Sequence, residues 1–157
     1  MTLFDTHAHY DDEAFDADRD AVLAAFDGLV IDPGCTLASS QAAVDLTARH
    51  PHVYAAVGIH PENCGDFVPE HMDALRQLAK QPKVVAIGEI GLDYYWPENP
   101  PRDFQQQVFR AQLELALELD LPVIVHDREA HGDSLAIVKE YPALRGVFHC
   151  YSGSVEM

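Results

Sequence analysis

A chain of 157 residues is long enough for one domain with a sizeable core, and 48% hydrophobic with 23% charged residues is the make-up of a folded protein, not a disordered one. Ten Lys and Arg against 26 Asp and Glu leave a formal charge of −16, which excludes the basic face that grips duplex nucleic acid and leaves bound cations as the means of holding a polyanion. The 3 cysteines are widely spaced and odd in number, so neither a disulfide framework nor a thiolate zinc site is expected; with no secretory leader and no membrane-length apolar run, the expected setting is cytoplasmic.

The first expected strand begins at Leu3-Phe4, and its alternation puts His7 and His9 on one face together with Asp5. Imidazole is the commonest ligand for zinc-like ions, and Asp5 is expected to orient a ligand instead of binding an ion. Phe15, Arg19, Val22, Leu23 and Phe26 mark a helix face that Gly28 ends. Residues 29–31 read as a short buried strand stopped by Asp32-Pro33-Gly34, and residues 39–50 as a helix halted by Pro51. Residues 53–60 form an apolar strand that closes on His60. Val68, Met72, Leu75 and Ala79 mark the next helix, and residues 83–89 the next strand, closing on Glu89. A loop over 91–101 carries Asp93, Tyr94, Tyr95 and Trp96, and a long helix follows along Phe104, Val108, Leu115 and Leu119. Residues 122–126 form a strand closing on His126, residues 135–141 a short helix, and residues 146–149 an apolar run closing on His149.

Strand-helix alternation with strands buried on both faces predicts an α/β architecture around a parallel sheet of about six strands, in a single domain over 1–157. In such sheets functional side chains collect at the carboxyl ends of the strands, where His7, His9, His60, Glu89, His126 and His149 all fall. Packing does not ask for a ligand-type residue at so many strand ends. Neutral imidazoles with one carboxylate suit zinc, manganese or a related divalent ion, and Glu89 is the natural bridge between two of them. Two ions held in this way can clamp the attacking and leaving oxygens of a phosphoester or acyl substrate, so the expected reaction is hydrolysis.

Asp5-Thr6-His7-Ala8-His9, Gly58-Ile59-His60-Pro61, Gly88-Glu89-Ile90-Gly91-Leu92-Asp93-Tyr94, His126-Asp127-Arg128-Glu129-Ala130 and His149-Cys150-Tyr151-Ser152-Gly153 together resemble the TatD-type metal-dependent deoxyribonucleases of the amidohydrolase superfamily. The resemblance implies a (β/α)8 TIM-type barrel, here only its first six βα units or so. It also implies two divalent ions (Mg, Mn or Zn): His7 and His9 on one, Glu89 as catalytic bridge, His126 and His149 on the other. The implied substrate is DNA, attacked at single-stranded ends as by a 3′ exonuclease. A complete barrel takes about 250 residues, so the chain is expected to be an incomplete, amino-terminal part of one, lacking a late-strand aspartate of the family.

Other residues carry two readings. His60 is a substrate contact or bonds a loop carbonyl; Arg128 pairs a phosphate or joins a surface ion pair; Tyr94, Tyr95 and Trp96 stack on a base or pack on the rim. His50, His52, His71 and His131 are expected to be solvated, and all three cysteines to be buried thiols. Two rival functions stand beside the nuclease: a hydrolase of another ester or amide, such as misacylated tRNA, and an inactive fragment that binds without turnover.

Overall fold

Short runs rich in Val, Ile and Ala, each followed by a helix long enough to cross back over the sheet, can pair only in parallel. A computed structural model describes residues 3–156 and shows this arrangement. Strands β1 (Leu3–Asp5), β2 (Gly28–Pro33), β3 (Val53–Val57), β4 (Val84–Asp93), β5 (Val123–Arg128) and β6 (Gly146–Phe148) lie side by side in sequence order, every neighbouring pair parallel. Between them run α1 (Arg19–Ala25), α2 (Leu37–Arg49), α3 (Glu70–Leu78), α4 (Arg102–Leu119) and α5 (His131–Lys139). The result is a half-barrel with helices on one face of its sheet.

Alternation along the strands sorts the core. Val123 and Val125 pack towards the helices with Phe109, Leu113 and Ile137, whereas Ile124 joins Ile31, Ala56 and Ala86 on the opposite face. Burying a side chain of the first group contributes about 1.5–3 kcal/mol of transfer free energy. The second group borders an apolar hollow of about 390 Å³, lined also by Phe4, Leu29 and Val147. Phe4 on β1 is 56% exposed and Val147 on β6 is 50% exposed. Among the described residues, no helix is long and apolar enough to cross a membrane.

Several boundaries differ from the sequence reading. The acidic stretch forms a 3₁₀ turn, Glu13–Phe15, capped by the Asp12 carboxylate, and α1 starts only at Arg19, whose guanidinium donates to the carbonyls of Tyr10, Asp11 and Asp12. β2 runs on through Asp32 to Pro33, because Ala55 and Ala56 on β3 continue the pairing. The largest correction concerns β4, which does not end at Glu89 but continues through Gly91 to Asp93. Gly91 is there for close approach: its φ is 143°, and a Cβ at this position would run into the His126 carbonyl oxygen of β5. His50 is buried, its Nε2 2.9 Å from Asp20, and His131 Nδ1 lies 2.6 Å from Asp127, so neither is a freely solvated histidine. Cys64 is buried as expected, but Cys35 is half-buried and Cys150 exposed.

Candidate metal centre

β1 ends at Asp5, before the histidines, but the chain stays extended alongside β2: Ala8 N–H donates to the Ile31 carbonyl at 3.1 Å. The residues on either side, His7 and His9, bring their Nε2 atoms to 3.0 Å of each other. Glu89 Oε2 faces both, 3.2 Å from His7 Nε2 and 3.6 Å from His9 Nε2. The other oxygen, Oε1, lies 3.0 Å from His126 Nδ1 and 3.9 Å from His60 Nε2. One carboxylate, 3% exposed, therefore stands between two sets of imidazoles delivered by separate parts of the sheet.

The electrostatics match the geometry. Burial opposes ionisation of Glu89, but hydrogen bonds with His126, His7 and His9 outweigh it and hold the carboxyl far below the usual carboxylate range. His9 is pushed up to about 10 by the facing carboxylates of Asp11 and then Glu89. His126 is raised against the pull of burial by Glu89 and Asp93. His60 is pushed down to about 4 by burial and then by the neighbouring His126, so it is neutral. Sites that raise the proton affinity of imidazoles in this way are sites of negative potential, where a cation can take the proton's place.

The donor set fits divalent ions. Two Nε2 atoms and a carboxylate oxygen converge at one point, although only one shared proton could sit between the two rings, and the buried Nδ1 of His7 has no partner among the described residues. His126 Nε2 lies 3.0 Å from Asp93 Oδ2, the carboxylate that would fix the tautomer leaving Nδ1 free to ligate. Asp11 Oδ1 lies 3.8 Å from His9 Nδ1, near enough to attract the ring but beyond hydrogen-bond distance. His60 is different: its Nδ1 accepts the Glu62 N–H at 3.3 Å, which puts the proton on Nε2 and makes that edge a donor. His149 joins neither group among the described residues; its ring lies parallel to His7, centroids 3.4 Å apart. Arg128 lines the same cleft of about 720 Å³, with Glu62, Asn63 and Ser152.

Asp93 lies at the end of β4 and not in the loop expected over 91–101. Alternation carried past Glu89 puts residues 89, 91 and 93 on one face, and that continuation was the missed signal. Two further residues escaped because apolar periodicity ignores them. Gln105 and Gln112, seven apart on the buried side of α4, hold backbone next to the centre. Gln105 accepts from Asp93 N–H at 2.9 Å and donates to the Asp93 carbonyl at 2.9 Å; Gln112 does the same for Ile59 at 2.7 and 3.0 Å. Among the described residues, Asp5, expected to serve the metal ligands, accepts only the His7 N–H, at 3.0 Å.

A second acidic group lies beneath His9. Asp32 is fully buried with both oxygens unpartnered among the described residues, and burial followed by the nearby Asp11 pushes its carboxyl up to about 8. Between about 4 and 8 the folded protein then holds a proton that the unfolded chain has released, so stability falls as pH rises through that window. Asp32→Asn is expected to raise the melting temperature in chelator at pH 8, with the gain shrinking towards pH 5. A gain that did not change with pH would contradict this assignment.

With that geometry in place, the chain matches the family described as TatD related DNase over residues 4–157. It belongs to the TatD family. A TatD homologue of Escherichia coli, YJJV, superposes with a TM-score of 0.89 at 34% identity, covering 98% of this chain and 62% of that one. A TatD-family hydrolase of Entamoeba histolytica gives 0.88 at 25% identity, covering 99% and 60%. Among curated relatives, the metal-dependent hydrolase YabD of Bacillus subtilis is 38% identical over 99% of this chain and 63% of its own length. The 3′-5′ ssDNA/RNA exonuclease TatD of Salmonella typhimurium is 37% identical over 97% and 60%. The chain thus spans about three fifths of the length of these TatD relatives.

Proposed function

We propose that this chain carries the metal centre of a divalent-metal-dependent hydrolase that cleaves phosphodiester bonds of DNA, acting on single-stranded ends from the 3′ side. The observation behind the proposal is the division of Glu89, with Oε2 towards His7 and His9 and Oε1 towards His126. The names of the Salmonella exonuclease and the Bacillus hydrolase support the reading of both substrate and metal.

His7 and His9 would hold one ion with Glu89, and His126 the second, with His149 proposed as its further ligand. Magnesium, manganese or zinc bound there would neutralise phosphate charge and lower the pKa of water, supplying at short range what a −16 surface lacks. The chain's own groups do the rest. Asp93 holds His126 in one orientation, and Glu89 stays ionised throughout the working pH range. The Nε2–H of His60 offers a neutral donor to a phosphoryl oxygen, and Arg128 offers a charged one at the cleft edge. Three free thiols fit a reducing, cytoplasmic setting.

A 5′-labelled single-stranded oligonucleotide tests this. The protein is expected to shorten it from the 3′ end with manganese or magnesium, to stop in chelator, and to resume on metal addition. If the DNA stayed intact while charged tRNA lost its amino acid, the substrate would be an acyl ester and the phosphodiester reading would be wrong.

A further inference from the structure

Five of the seven arginines of this acidic chain, Arg19, Arg49, Arg76, Arg110 and Arg145, sit in ion pairs with carboxylates. Arg128 is held differently. Its guanidinium lies 3.8 Å from the Tyr95 ring centroid and 5.3 Å from that of Trp96. Stacking fixes the plane of the guanidinium and leaves its N–H edges free. Arg128 is two residues beyond His126 on β5, hence on the same face and about 6–7 Å further along. Among the described residues it is the only Lys or Arg lining the cleft of the metal centre.

The aromatic partners are equally displaced from ordinary packing. Tyr94 is structural: its hydroxyl bonds Asp133 and Gln106, Arg102 covers its ring, and it packs on the main core. Tyr95 and Trp96 instead stand 49% and 41% exposed, edge to face at 4.7 Å. Yet their loop is firmly tied down. Asp93 Oδ1 accepts Tyr95 N–H at 2.9 Å and the Asn99 side-chain amide at 3.1 Å, while Asp93 Oδ2 takes His126. The carboxylate that orients a proposed metal ligand thus also fixes the ledge. Two exposed aromatic rings on a tied-down turn, carrying a guanidinium that no carboxylate pairs among the described residues, leave both stacking surface and N–H donors open to a ligand.

We propose that Tyr95, Trp96 and Arg128 form a nucleotide subsite flanking the metal centre. Arg128 takes the phosphate next to the one being cleaved, and the aromatic pair stacks the attached base. A ring face recognises any base but only an unstacked one, so the ledge selects single-stranded substrate without selecting sequence. This inference rests on the phosphodiester reading of the centre.

Trp96 is the only tryptophan of the chain, so its fluorescence reports on the ledge alone. The full chain with magnesium is titrated with a phosphorothioate-linked thymidine tetranucleotide, with the abasic tetranucleotide of the same backbone, and with inorganic phosphate. Quenching is expected for the first and not for the other two. Tyr95→Ala should weaken tetranucleotide binding about tenfold with Tyr95→Phe restoring it, and Arg128→Ala should reduce the ability of the abasic chain to compete with the quenching tetranucleotide. Equal quenching by the abasic chain, or none by the base-bearing one, overturns the subsite. Cleavage of bis(p-nitrophenyl) phosphate by the same sample keeps the two readings apart. Turnover without quenching removes the ledge and leaves the phosphodiesterase; no metal-dependent turnover removes the reading on which the ledge rests.

Discussion

Glu89→Gln is expected to lower both divalent-metal affinity and phosphodiester hydrolysis by more than about a hundredfold, since even a residue that only orients a ligand typically costs 10–100-fold. The substitution keeps volume and one carbonyl acceptor but removes the shared negative charge. Oε2 now faces two imidazoles and Oε1 a third, so neither half of the centre survives the loss of charge alone. Titration calorimetry with manganese and a hydrolysis assay on the same preparation check it. His149→Ala, which leaves Glu89 and its closest imidazoles in place, should do less damage. An equal loss in both variants would point to a centre built around His149 instead.

Gln112→Leu is expected to destabilise the fold by about 2–6 kcal/mol, although the new side chain is more apolar and similar in size. Gln112 is fully buried and satisfies both the N–H and the carbonyl of Ile59. Leucine would leave two buried backbone groups unpaired, each costing about 1–3 kcal/mol. At this chain length that is roughly 4–24 °C in melting temperature. Gln107, exposed on the same helix, is the control: Gln107→Leu should stay within about 0.5 kcal/mol of the parent. A Gln112→Leu protein as stable as its parent would show that the Ile59 amide finds another partner and that α4 does not hold the turn leading into His60.

The strands and the ligand-type residues at their ends were legible because a parallel sheet demands uninterrupted apolar runs and leaves the residue after each run free for chemistry. Val123-Ile124-Val125, followed at once by His126, shows this directly, whereas the strand expected to close on His60 stops at Val57 and His60 caps the 3₁₀ turn that follows. Legibility failed where one residue type has two physical uses. Gly91 looks like a turn but serves the approach of β4 to β5, and reading it as a turn cut Asp93 away from the centre it supports. Asp32-Pro33-Gly34 looks like a turn as well, and part of it is strand. Gln105 and Gln112 are invisible to any apolar pattern, since their value lies in backbone groups 12 and 53 residues away along the chain. The different standing of Tyr94 and of Tyr95 with Trp96 could not be read from three adjacent aromatics, because it depends on which ring reaches the core and which meets Arg128.

Electron paramagnetic resonance of the manganese-loaded protein tests most directly whether Glu89 joins two imidazole sets into one centre. The account predicts an exchange-coupled pair of manganese ions, replaced in Glu89→Ala by weak signals of isolated ions. A wild-type spectrum of single, uncoupled manganese that Glu89→Ala leaves unchanged would contradict it.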